Sequence, residues 1–448
     1  MGKNTSRFAC QECGYETYKW MGKCPGCGQW NTLLEEIQSS QDKPLGHIET
    51  PALPLNSISG SDTYRYSSGL GELDRVLGGG IVPGSLVLLG GDPGIGKSTL
   101  LLQAADKIAR SGKRVLYLSG EESLRQIRLR ADRLQIESSD IFLLNEPNIE
   151  ILEEYIREIG PDFVIIDSIQ TVYLEHISSI PGSVAQLREC TAAIMRLAKK
   201  NDIAFFVVGH VTKDGMLAGP RMLEHMVDVV IYFEGDKNFA FRLLRGVKNR
   251  FGSTDEIGLL EMTGRGLLEV ADPSYIFLSG NHDASGTAVT ASFEGRPFLI
   301  EVQALVAASS PGYPRRMASG IDQNRLALII AVLEKVRGFR LADYDVYLKV
   351  TGGVFLRDPS VDLGIAAAII SSYKEVLIPP DTVFIGELGL SGQIRSVPFL
   401  QARLKEVEKM GFNRVIVPAG VKDHADYTRL ELLEVKNIDQ CIDIVMGG

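Results

Sequence analysis

The chain has 448 residues, 45% apolar and 23% charged, which is ordinary for a soluble globular protein and leaves room for two or three domains. A formal charge of −9 argues against a surface coated in nucleic acid, although a local basic channel stays possible because salt screens charge beyond about 10 Å. The sequence offers neither a secretory leader nor an apolar run long enough to span a bilayer, so no membrane contact and a cytoplasmic home are expected.

Residues 1–35 are punctuated by cysteine and glycine, without the period a helix needs. Cys10-x-x-Cys13 and Cys24-x-x-Cys27 supply four thiols in two close pairs, each suited to one side of a tetrahedral Zn²⁺. Gly14 and Gly28 follow the pairs and suit the tight turns of a zinc knuckle. So short a segment cannot bury a sufficient core, and the metal is expected to supply most of its folding energy. Trp20 and Trp30, the only tryptophans, flank the second pair; they are suited to stacking on bases or to packing against the knuckle. Residues 36–66, polar and bearing Pro51 and Pro54, read as a linker.

From 67 to 270, apolar runs alternate with amphipathic stretches. The runs begin at Ser85, Arg114, Asp162, Ile203 and Val227, and their spacing predicts a parallel sheet with helices on both faces, an α/β core. Two later runs, from Phe241 and Ile257, lack intervening helices and predict antiparallel additions at one edge. Gly91-Asp92-Pro93-Gly94-Ile95-Gly96-Lys97-Ser98-Thr99 joins an apolar strand to a helix, the context a P-loop requires. Its amides and the helix N-terminus would face the phosphates of ATP, Lys97 would reach the β- and γ-phosphates, and Ser98 would ligate Mg²⁺. Asp167 ends the strand Phe163-Val-Ile-Ile and is placed to hold the Mg²⁺ water shell. Glu121 and Glu122 follow another strand, where a carboxylate can orient and deprotonate water, Glu121 being the first choice. His210 closes the strand from Phe205 and is suited to sensing the γ-phosphate and informing the loop behind it.

Residues 271–448 form a different regime, strands near Val289 and Leu299 and helices near Arg325 and Leu363, which predicts a separate α+β domain. Cys190 and Cys441 stand alone in apolar contexts and read as inert core thiols.

The four cysteines with Trp20-Met-Gly-Lys, the P-loop, and Lys248-Asn-Arg-Phe-Gly252, in that order, closely resemble the bacterial RadA (Sms) family of DNA repair proteins across essentially the whole chain. The resemblance implies a RecA-like ATPase core, a homo-hexameric ring, and DNA-stimulated hydrolysis. It also implies branch migration of recombination intermediates on single-stranded and branched DNA together with RecA recombinase. It marks 248–252 as a functional motif, in which Lys248 and Arg250 either reach a neighbouring subunit's γ-phosphate or contact DNA phosphates. The C-terminal part resembles the proteolytic domain of the Lon family through Gly386-Glu-Leu-Gly-Leu-Ser-Gly392. That alignment puts Asp362 in place of the nucleophilic serine and Gln401 in place of the lysine, with Ser360 out of register. Such a pair offers neither an activatable hydroxyl nor an amine base, so a Lon-like fold without peptidase chemistry is expected. Lys335, Arg337, Arg340, Lys349 and Arg357 are its candidate basic positions. A Lon-type protease and a signalling ATPase that does not use DNA are the alternative readings.

Overall fold

The structure, a computed structural model, describes residues 6–10, 15–26, 28–30, 32–37, 64–210, 222–235, 240–270, 272–278, 284–309, 314–421 and 429–447. It falls into two compact units. One comprises residues 1–234, 244–254 and 262–269, the other 235–243, 255–261 and 270–448. Most of the expected linker, and the loop that follows His210, lie outside the described residues.

The first unit begins with a three-stranded antiparallel ribbon, β1 (Ser6–Cys10), β2 (Glu16–Thr17) and β3 (Leu33–Ile37), in the order β2-β1-β3. Among its described residues the buried cluster is Cys10, Cys24 and Leu33, with Phe8 and Met21 packed against them.

After α1 (Gly71–Val76) come the alternating elements β4 (Leu86–Gly91), α2 (Lys97–Arg110), β5 (Val115–Ser119), α3 (Leu124–Arg133), β6 (Ile141–Leu144), α4 (Leu152–Ile159), β7 (Phe163–Asp167), α5 (Val184–Asn201), β8 (Ala204–His210), α6 (Met222–Met226) and β9 (Val229–Glu234). Strands β9, β4, β8, β7, β5 and β6 lie side by side, all parallel. Every residue of β4, β5 and β7 is buried, as strands covered by helices on both faces must be. Capping is local and legible: Ser123 and Gln126 close a capping box on α3, and Ser183 accepts from Gln186 at the start of α5. Strands β10 (Phe241–Asn249), β11 (Ile257–Thr263) and β12 (Gly266–Glu269) complete the nine-strand order at one edge, beside β9.

The second unit carries α7 (Pro273–Phe277), β13 (Thr287–Glu294), β14 (Arg296–Ala308), β15 (Arg316–Ser319), α8 (Gln323–Arg337), β16 (Tyr344–Val350), α9 (Asp362–Lys374), β17 (Thr382–Phe384), β18 (Glu387–Leu388), β19 (Ile394–Arg395), α10 (Leu400–Lys409), β20 (Arg414–Pro418), β21 (Glu431–Val435) and α11 (Ile438–Val445). Its mixed seven-stranded sheet runs β15-β16-β14-β13-β17-β20-β21. Alternation splits β13 and β14 between two cores. Ala288, Phe298, Ile300 and Val302 join the cluster of α8 and α9, whereas Val289, Ala291 and Leu299 join Leu404 and Val407 of α10. Helix α9 lies close on the sheet at Gly364, where a Cβ would come within 2.8 Å of the Thr290 side chain.

The α/β class with a RecA-like core, an N-terminal ribbon and a C-terminal Lon-like α+β domain is therefore as the sequence predicts. Burial pushes the thiols of Cys190 and Cys441 up to about 12, so both are protonated and inert. Among the described residues, no helix is long and apolar enough to cross a membrane.

Candidate active site

Strand β4 delivers the chain into the loop 91–96, and α2 begins immediately after it. Gly94 at φ +78° and Gly96 at φ +117° adopt backbone angles that suit glycine alone. A Cβ on Gly91 would lie 2.6 Å from the Phe233 carbonyl oxygen, so the turn could not close this tightly around any other residue. Asp92, Pro93 and Gly94 are exposed at the mouth, while Ile95 and Thr99 pack inward and Ser98 is half-buried at the helix start. The buried Lys97 folds back: its Nζ donates to the carbonyl oxygens of Gly91 at 2.7 Å and Asp92 at 3.0 Å, and lies 3.4 Å from His210 Nδ1. An ammonium held over the loop, first-turn amides and a hydroxyl make a cradle that fits a polyphosphate and its Mg²⁺.

The carboxylates stand at the ends of neighbouring strands. Buried Asp167 accepts a hydrogen bond from the Tyr117 hydroxyl at 2.7 Å. Burial, with Asp167 beside it, raises the Tyr117 pKa well above its ordinary value, so the phenol remains a donor that fixes the carboxylate. Glu121 accepts from Ser168 Oγ at 2.5 Å and sits 2.9 Å from His210 Nε2. The two ring nitrogens of His210 face Lys97 on one side and Glu121 on the other. A continuous chain of hydrogen bonds thus runs Lys97–His210–Glu121–Ser168. The His210 contact is the largest influence that brings the Glu121 carboxyl down to about 2, Ser168 assisting against burial. Glu122 instead turns away to an ion pair with Arg130 at 2.5 Å.

Sequence reasoning missed Tyr117 and Ser168. A phenol inside an otherwise aliphatic, fully buried strand must find a partner, which was a usable signal. Ser168 carried none beyond its place next to Asp167. Thr171 also belongs here: its hydroxyl donates to the Ser168 carbonyl at 2.8 Å, and a Cβ on Gly120 would collide with it.

Lys248 and Arg250 lie apart from this group. Lys248 Nζ donates to three carbonyls at the end of α6, those of Glu224 (2.8 Å), His225 (3.0 Å) and Val227 (2.8 Å). The half-exposed Arg250 side chain reaches Asp228 at 3.1 Å, and the other Asp228 oxygen accepts from the Leu86 amide. Asn249 bonds the Val76 carbonyl and the Phe251 amide, and Arg65 donates to the Phe251 carbonyl at 2.6 Å. Within the chain the motif therefore ties α1, the start of β4 and the end of α6 together. Lys248→Ala removes the cation from that helix terminus and is expected to lose on the order of 1–2 kcal/mol locally. Faster hydrogen exchange of the α6 amides would register the loss, and wild-type rates would refute it.

In the ribbon, Cys10 and Cys24 are buried, and the Gly26 amide donates to Cys24 Sγ at 3.3 Å. Gly28, at φ +75°, closes the turn by donating to the Cys24 carbonyl. Amide donation to a sulfur in a tight turn fits a metal-bound thiolate. Cys13 and Cys27 lie outside the described residues.

In the second unit, Asp362 is buried in an ion pair with Arg325 at 2.6 Å and accepts from the Leu388 amide; burial raises its pKa, and Arg325 only partly offsets that. Gln401 is exposed. Ser360, fully buried, donates to the Ala291 carbonyl and accepts from Arg403, whose guanidinium cannot take a proton from it. Of the candidate basic positions, Lys335, Arg340, Lys349 and Arg357 are exposed, and the Arg337 side chain lies outside the described residues.

A P-loop between parallel strands, with carboxylates at neighbouring strand ends, defines an ATPase of the RecA-like class carrying a metal-binding ribbon and a Lon-like domain. Comparison with known families agrees. Residues 58–216 match a family described as AAA domain, 8–35 the rubredoxin metal binding domain, and 348–421 subunit ChlI of Mg-chelatase. The chain is 51% identical to the DNA repair protein RadA of Bacillus subtilis, with all of both chains covered. It is 52% identical to that of Listeria monocytogenes, over 93% of this chain and 92% of the relative, and 48% identical to that of Streptococcus pyogenes serotype M1 over the whole of both. The chain belongs to the RadA family of bacterial DNA repair proteins.

Proposed function

We propose that the protein is a DNA-stimulated ATPase of recombinational repair, promoting branch migration and strand extension of RecA-made intermediates on single-stranded and branched DNA. The observation that carries this reading is the hydrogen-bonded chain from the phosphate lysine through His210 to Glu121. It joins the nucleotide cradle to the last residue of β8. In this reading Gly91–Thr99 and Asp167 hold ATP and Mg²⁺, Glu121 activates water, and His210 passes the state of the γ-phosphate position to the loop behind it. Bound Mg²⁺ neutralises phosphate charge, and Zn²⁺ on Cys10, Cys13, Cys24 and Cys27 closes the ribbon. The protein works in the cytoplasm as a homo-hexamer, with Lys248 or Arg250 facing a neighbouring subunit's nucleotide or DNA. The divisions are 1–35, 36–66, 67–270 and 271–448, the last without peptidase chemistry.

The test is ATP hydrolysis with and without single-stranded DNA, alongside extension of a recombinase-made joint molecule. Hydrolysis indifferent to DNA, with no effect on joint extension, refutes the proposal. Casein degradation would instead favour the Lon-type reading.

A further inference from the structure

Phe8 packs inward, but the ribbon turns Tyr18, Trp20 and Trp30 outward. Tyr18 is 78% exposed, Trp20 57% and Trp30 69%, although large aromatic side chains are the ones a short module gains most by burying. The two indoles border one bare backbone position: a Cβ built on Gly22 would touch Trp30 ring carbons at 3.6 and 3.7 Å and Trp20 Cη2 at 3.8 Å. Lys23 Nζ stands 5.8 Å from the centre of the Trp30 ring. The strip Thr17–Trp30 contains Lys19 and Lys23 and no acidic residue, within a chain of net charge −9.

We propose that Tyr18, Trp20 and Trp30, with Lys19 and Lys23, form a stacking platform for single-stranded nucleic acid, separate from any contact made by the ATPase core. The proposal rests on the DNA reading given above and adds a site to it. Exposed π-faces beside cations suit unpaired bases joined by phosphates, because every base has a face to stack and every linkage a charge to meet. A purely apolar protein partner would have no use for the lysines, and a duplex would keep its bases stacked on one another.

The chain's only tryptophans are these two, so their emission reports on the platform directly. In a titration of the full-length, zinc-loaded protein with a dye-labelled oligothymidylate, tryptophan emission should fall along the same isotherm as the rise in dye anisotropy. Anisotropy that rises while emission stays constant overturns the platform and leaves the DNA-stimulated ATPase intact. If neither signal moves, the DNA reading itself fails and the platform with it. Trp20→Ala and Trp30→Ala should each weaken oligothymidylate binding by about tenfold, with Trp→Phe retaining most of the affinity and zinc content unchanged throughout. Variants that bind the oligonucleotide normally but no longer bind the recombinase would identify a protein-docking face, and would also overturn the proposal.

Discussion

Glu121→Gln is expected to lower kcat for ATP hydrolysis by roughly 10²–10⁴-fold while ATP affinity stays within a few-fold of wild type. The amide is nearly the size of the carboxylate and can still meet the Ser168 hydroxyl and His210, so the geometry survives and basicity is lost. The same contacts explain why the resting carboxylate is not already a base. Held at about 2 by His210 and Ser168, it takes up a proton poorly. Its basicity must rise when His210 lets go, and His210 also faces Lys97, the residue that would meet the γ-phosphate. His210→Ala should therefore raise the Glu121 pKa towards the ordinary carboxylate range. The sign follows from the depression: the ionised Glu121 stabilises this cluster above the usual value near 4.3 and is lost only as pH falls through about 2. In the His210 variant that loss should come at higher pH, visible in a carboxyl titration by NMR. Glu122→Gln is the control, since Glu122 is committed to Arg130. A full loss of kcat there, with Glu121→Gln active, would reverse the assignment.

The cradle was legible because it is local. Strand, glycine loop, lysine and helix are contiguous in the chain, and glycine spacing alone carries the turn. Asp167, Glu121 and His210 were legible one step further, because each ends an apolar run and parallel strands bring their ends together. What the sequence could not supply was partnership across strands. The order of residues put Glu121 ahead of Glu122 but showed neither partner: Glu121 meets Ser168 47 positions away, and Glu122 meets Arg130 eight positions away. Lys248 shows the same limit. Its charge suggested a reach outward, yet within the chain its ammonium is held by three backbone carbonyls, an acceptor set that leaves no trace in side-chain chemistry. The exposure of Trp20 and Trp30 was similarly hidden, since packing inward and facing solvent are compatible with the same spacing.

Arg403→Met is expected to destabilise the second unit by about 3–5 kcal/mol, because it strips the partner from a buried carboxylate. The Arg403 side chain is 1% exposed, with Nη1 at 2.7 Å from Asp358, 2.8 Å from Ser360 Oγ and 2.7 Å from the Ala291 carbonyl; Nε reaches the Pro398 carbonyl. Removing it leaves one charge and two further acceptors, Ser360 Oγ and the Ala291 carbonyl, inside the core between β13 and α10. Hydrogen exchange of the β13 and α10 amides reads that loss unit by unit, which a single melting curve of a two-unit chain would not. Asp358→Asn in the same background removes the stranded charge and should recover part of the stability, whereas an additive second loss would show that the pair was not the cause. The pH dependence has a definite sign. Arg403 holds the Asp358 carboxyl below its usual value against the pull of burial, so the pair contributes above about pH 3.9 and is lost as pH falls below it. In Arg403→Met burial, the largest influence, is opposed by the hydrogen bonds from Ser360 and no longer by Arg403, and should raise that pKa, so protonating Asp358 should restore stability as pH falls, the opposite slope to wild type. Neither variant should gain peptidase activity, since Ser360 stays fully buried with its hydroxyl donating to the Ala291 carbonyl, and Asp362 remains paired with Arg325.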